Sequence, residues 1–128
     1  MILVDTSVVV PWLDSHHPHH AACKAALRRW ANEDQLALSA VTYAELAAAG
    51  RTRESVDEWL ADFERIDLDF EASFRAGQAF GRAHPGKSRK PVLPDFFIRA
   101  QAAVLGLRHL TNDRGRLQAF PEVEYLFP

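Results

Sequence analysis

Four acidic residues occupy positions where chemistry is expected. Asp5 directly follows the apolar run Ile2 to Val4, Glu45 sits among Val41, Ala44, Leu46 and Ala48, Asp95 follows Pro94, and Asp113 follows the run His109 to Thr111. A carboxylate buried without a partner is costly, so Glu45 in its apolar setting calls for a cation or a metal, or else an escape to solvent at the edge of its helix. The three aspartates also suit helix capping, and the set therefore carries more than any member. Gathered carboxylates raise one another's pKa unless a cation compensates them. With oxygen donors and no soft ligand set, the compensating ion is Mg²⁺ or Mn²⁺ rather than zinc. A pair of such ions about 3.5–4 Å apart can activate water and stabilise the leaving oxygen of a phosphodiester. Thr6, Ser7, Thr111 and Asn112 flank the acids and either orient metal-bound water or cap the local backbone.

The elements that would position these acids alternate along the chain. Ile2 to Val4 predicts a buried strand, with a helix from Thr6 or Ser7 to Leu13. His16 to His20, interrupted by Pro18, predicts a solvent-exposed turn, and Ala21 to Ala31 a helix. Leu36 to Leu38 predicts a second strand, followed by a helix from about Val41 to Ala49 that Gly50 ends. Val56, Trp59, Leu60 and Phe63 mark one face of a further helix. Ile66 to Leu68 is ambiguous, with extended structure one reading. A long helix follows in which Phe70, Phe74, Gly77 and Gly81 share a face, and the glycines suggest close packing there. His84 to Pro91 reads as a loop, Pro94 as the start of a helix to about Leu105, and Gly106 as its end. A strand over His109 to Thr111, a short polar helix over Asn112 to Gln118 and a strand over Tyr125 to Phe127 complete the pattern. Strands separated by helices imply an α/β fold, a mainly parallel central sheet with helices on both faces. In such a sheet ligands bind beyond the carboxyl ends of the strands, the edge at which Asp5 stands.

Bulk properties narrow the class. A chain of 128 residues with 48% hydrophobic and 25% charged residues reads as one globular domain over 1–128, without repeats or a linker. The three apolar residues before Asp5 are too short for a signal core or a membrane span, so a cytoplasmic protein without a membrane association is expected. Cys23 is the only cysteine, which excludes an intramolecular disulfide and a multi-cysteine zinc site. Net charge is −2, but eight basic residues lie between Arg82 and Arg116 against two acids, while eight acids lie between Glu54 and Glu71 against Arg65 alone. Either charge run also reads as a solvated face.

The segments "ILVDTSVVV", "LSAVTYAELA", "LPDFFIRAQA" and "LTND" resemble, in order and spacing, the four acidic motifs of the PIN-domain family, and more narrowly the VapC-type ribonuclease toxins of toxin–antitoxin pairs. The resemblance implies a PIN-like three-layer sandwich, an Mg²⁺- or Mn²⁺-dependent endoribonuclease acting on RNA, a homodimer, and inhibition by a cognate VapB-type antitoxin. It assigns the catalytic, metal-binding acids to Asp5, Glu45, Asp95 and Asp113, with Thr6, Ser7 and Thr111 matching the accompanying hydroxyls. Phe96, Phe97 and Arg99 replace an alanine-rich stretch after the third acid. Lys87, Arg89, Lys90, Arg99, Arg114 and Arg116 are candidate phosphate contacts, which position RNA without reading bases. Two other classes compete. A phosphoacceptor receiver domain requires a late lysine, and the last here is Lys90. A non-catalytic RNA- or antitoxin-binding module with a vestigial acidic site is the alternative that an assay must separate.

Overall fold

Alternating burial along the first strand sets the architecture. In the computed structural model, which describes residues 1–83 and 93–128, β1 (Ile2–Val4) is completely buried, with Ile2 and Val4 in one core and Leu3 in another. A strand buried on both sides must be covered by helices on both sides. Five strands form one parallel sheet in the order β3-β2-β1-β4-β5, where β2 is Leu36–Ser39, β3 Glu64–Ile66, β4 Arg108–Leu110 and β5 Tyr125–Leu126.

The first core packs α1 (Thr6–Leu13), α2 (His20–Ala31), α3 (Ala40–Ala48) and α4 (Arg53–Trp59) through Val8, Cys23, Leu27, Leu46 and Val56. The second packs α5 (Phe70–Ala83) and α6 (Leu93–Leu105) through Ala72, Ala76, Phe96 and Ile98. The result is the expected three-layer α/β sandwich. Chain order runs outward from β1 through β2 to β3, then returns to the other side of β1 as β4 and β5. The crevice beyond the carboxyl ends of β1 and β4 is therefore the topological switch point, where open α/β sheets bind ligands.

Local differences from the sequence pattern have physical causes. The helix expected to include Phe63 stops at Trp59, and Leu60 closes it through hydrogen bonds to Val56 and Glu58. The ambiguous segment resolves into β3, two residues earlier than Ile66 to Leu68. The residues after Thr111 turn without forming a helix until a short 3₁₀ segment at Leu117–Ala119. The face of α5 carrying Phe70, Phe74, Gly77 and Gly81 is not close-packed. Phe70 is 94% and Phe74 68% exposed, and a Cβ at Gly77 or Gly81 would meet nothing within 4 Å. The packed face is the alanine stripe Ala72, Ala76 and Ala79, whose small side chains let α5 lie close to the second core. Among the described residues no helix is long and apolar enough to cross a membrane.

Phe96 anchors α6 in the second core, edge-on to Phe80 at 5.5 Å and to Phe120 at 6.4 Å between ring centroids. Replacing it with alanine leaves a cavity in a packed interior. Phe96→Ala is expected to cost about 3–5 kcal/mol, read as a lowered urea midpoint at unchanged slope.

Candidate active site

Two side chains that end strands also start helices, and this brings the acids to one edge. Asp5 follows β1 and caps α1, accepting from the Ser7 backbone N–H at 3.3 Å. Ser39 ends β2 and caps α3, accepting from the Val41 N–H at 3.0 Å, which aims α3 and its Glu45 from the same sheet edge. Asp95 lies in the first turn of α6, and Asp113 lies in the turn after β4. Asp5, Glu45, Asp95 and Asp113 all line one cleft of about 430 Å³, together with Thr6, Ser7 and Asn112.

A hydroxyl network fixes two of these acids. Asp5 Oδ2 accepts from the Ser7 hydroxyl and from the Thr111 hydroxyl, the latter at 3.1 Å. The Thr111 oxygen in turn accepts the Asp113 N–H at 3.0 Å, and the Ser7 oxygen accepts the Asn112 N–H at 2.9 Å. The Thr6 hydroxyl donates to Glu45 Oε1 at 2.7 Å and lies 2.9 Å from the Thr42 hydroxyl. The residues flanking the acids thus hold carboxylates and the β4 turn in place. Among the described residues the Asp95 carboxylate forms no hydrogen bond. Its partial burial, with Asp5, Asp113 and Glu45 around it, pushes its pKa up to about 6, against the opposing pull of Arg99.

The basic residues sort differently. Arg99 is 3% exposed and turned inward, donating to the Gly115 carbonyl at 2.6 Å and the Asp113 carbonyl at 3.3 Å, with Nη2 3.5 Å from Asp113 Oδ2. It straps the β4 turn to α6. The Arg114 guanidinium lies 3.8 Å from the Phe127 ring centroid, and Arg116 lines a separate cleft with Arg82. Lys87, Arg89 and Lys90 lie outside the described residues. No Lys or Arg among the described residues lines the acidic cleft.

Two features had no functional reading in the sequence. His109, on β4, is completely buried, with Nε2 3.8 Å from Asp5 Oδ1 and no hydrogen-bond partner at either ring nitrogen among the described residues. Burial pushes its pKa down to about 4 although the Asp5 charge pulls the other way. Its signal was a ring with two polar nitrogens in a strand buried on both sides. His17 and His19, in the expected solvent-exposed turn, form one wall of the acidic cleft.

Comparison with known families decides the ancestry. The PIN domain model matches residues 2–123. The chain belongs to the PIN-domain family. Solved structures carry the same fold: the VapBC2 complex of Rickettsia felis bound to a promoter DNA fragment (TM-score 0.75, 18% identity, 100% of this chain and 99% of that one), and a toxin–antitoxin complex from Klebsiella pneumoniae (TM-score 0.69, 25% identity, 96% and 95%). VapC20 of Mycobacterium tuberculosis, described as a Sarcin-Ricin loop cleaving toxin, is similar at TM-score 0.62 and 19% identity, over 97% and 99% of the two chains. No functionally curated protein matches the sequence.

The cleft of this PIN domain offers oxygen donors under mutual repulsion, the chemistry that a hard divalent ion satisfies. As placed, no three His, Cys, Asp or Glu side chains among the described residues are close enough to hold an ion. The acids face a common space without closing on one centre.

The raised Asp95 pKa gives a signed pH dependence. The folded chain binds this proton more tightly than the unfolded chain, so between 3.8 and about 6 its contribution to stability falls as pH rises. In chelator, Asp95→Asn is expected to stabilise the protein at about pH 7 by on the order of 2 kcal/mol. That advantage should vanish as pH falls below 3.8. Thermal melts of parent and variant across this range check it; parallel curves would mean that the carboxylate is not under strain.

Proposed function

We propose that this chain is a metal-dependent endoribonuclease of VapC type, a cytoplasmic toxin acting as one PIN domain over residues 1–128 and neutralised by a VapB-type antitoxin. The observation that carries the reading is the arrival of Asp5, Glu45, Asp95 and Asp113, from four separate parts of the chain, at one cleft with no Lys or Arg among its described lining. Full-length likeness to structures described as toxin–antitoxin complexes supports the toxin role and the small protein partner. A homodimer is part of the same reading.

The four acids would hold Mg²⁺ or Mn²⁺, with Asp5 and Asp95 the principal ligands. The bound ion supplies Lewis-acid polarisation of a phosphate oxygen and a water that ionises near neutral pH. The chain's own residues do the positioning. Ser7 and Thr111 hold Asp5, Thr6 holds Glu45, and Arg99 and Thr111 fix the turn bearing Asp113. Asn112, with its backbone tied to Ser7, lines the cleft beside them. Arg114 and Arg116 are candidate contacts for RNA phosphates beyond the cleft lining, as are Lys87, Arg89 and Lys90 from the sequence alone, and Arg99 serves the site from within.

Purified protein is expected to cleave RNA with Mn²⁺ or Mg²⁺ and to stop with EDTA. Asp5→Asn should lower the rate by more than the ~100-fold that loss of a supporting residue can cost, with circular dichroism unchanged, and Thr111→Val should lower it ~10–100-fold. RNA bound but uncut by the parent protein under every metal condition would establish the vestigial alternative.

A further inference from the structure

The turn between α1 and α2 is tied by hydrogen bonds. Asp14 accepts the His16 N–H on its side chain and the His17 N–H on its carbonyl, both at 3.0 Å, and the His20 ring nitrogen lies 3.0 Å from the Pro11 carbonyl. The histidines therefore have different tasks. His20 is engaged with Pro11, while His17 and His19 line the acidic cleft. His17 Nδ1 accepts the His19 N–H at 3.0 Å, which places the ring hydrogen of the neutral form on Nε2. The His17 and His19 rings lie side by side, 5.6 Å apart and tilted by 38°.

An RNA strand brings negative charge toward a cleft whose carboxylates are Asp5, Glu45, Asp95 and Asp113. Arg99 cannot offset this at the surface, because its guanidinium is buried against the 113–115 turn. Apart from Asn112, the two histidines carry the only side-chain nitrogen donors of the described lining. We propose that His17, held in its orientation by His19, is a substrate-binding residue whose Nε2–H donates to a phosphodiester oxygen of the RNA strand. The proposal rests on the ribonuclease reading for its substrate. On that reading the carboxylates would hold the cation, and His17, in the same cleft lining, would hold the anion.

The test separates the two ring nitrogens. His17→Asn keeps an acceptor for the His19 N–H in an Asx-turn but removes the distal donor, whereas His17→Gln restores a donor at longer reach. Binding of a labelled single-stranded homopolymeric RNA, followed by fluorescence anisotropy in Ca²⁺, should weaken about tenfold in His17→Asn and recover to within about threefold in His17→Gln. In cleavage assays with Mn²⁺ the same loss should appear in KM, with kcat nearly unchanged. Parent affinity and KM in His17→Asn would overturn the proposal, as would failure of the parent chain to bind the RNA. Weakened Mn²⁺ binding in His17→Asn with unchanged RNA affinity would overturn it too, by making the ring a metal residue. RNA binding that depends on His17 in a parent chain that does not cleave would uphold the contact while ending the ribonuclease reading, so the two failures are distinguishable.

Discussion

The acidic cleft depends on the pairing of β1 with β4. These strands are more than a hundred residues apart in sequence, yet Leu3 faces His109 and Val4 faces Leu110 in register, and the Asp5 N–H donates to the Leu110 carbonyl at 2.8 Å. That register sets Asp5 beside Thr111, so that one threonine oxygen both donates to the first acid and receives the backbone of the fourth. A shift of one residue would exchange the two faces of β4 and turn the Thr111 side chain away from the site. Burial of Ile2, Val4 and Leu110 in one core and Leu3 in the other makes such a shift expensive, and the hydrophobic pattern thereby specifies the geometry of the polar site.

The same pairing creates an electrostatic problem that the protein solves only in part. Arg99 lowers the repulsion around Asp113 and Asp95, but it does so from a buried position while occupied with two backbone carbonyls. His109 stands under Asp5 as a buried ring that burial keeps from charging. The described cleft lining offers no Lys or Arg. The remaining negative charge of the four carboxylates therefore faces the cleft they line, where the proposed divalent ion would compensate it.

Much of this was legible in the sequence because it follows from local rules. Ile2 to Val4 ending in Asp5, and the strand-to-helix step at Ser39 that leads to Glu45, each place a polar group at the carboxyl edge of a strand, and a parallel sheet gathers those edges on one side. Tertiary choices were not legible. Period alone gives α5 two stripes, one of phenylalanine and glycine and one of alanine, and the alanine stripe faces the core because close approach of α5 to its neighbours leaves room only for methyl groups. Arg99 looked like any other basic residue near Asp95, since a charge count cannot distinguish a guanidinium that meets phosphate from one that straps a turn. The His17–His19 wall escaped for a related reason: the composition of a turn shows that it bends, not which surface it bends toward.

The four acids are not equivalent, and their hydrogen bonds show the order. Asp5 receives two hydroxyls and a backbone N–H, and Asp113 Oδ1 accepts the Gly115 N–H at 2.9 Å while Oδ2 faces Arg99. Glu45 has the Thr6 hydroxyl. Asp95 has no donor among the described residues and is the one whose pKa rises to about 6. All three donors to Asp5 converge on Oδ2, which fixes the carboxylate while leaving Oδ1 without a hydrogen-bond donor among the described residues, 3.8 Å from His109 Nε2. Asp5 is thus the acid held most firmly, with one oxygen left over, and Asp95, at the start of a helix held by Phe96 in the second core, is the acid whose charge the proposed cation would relieve most.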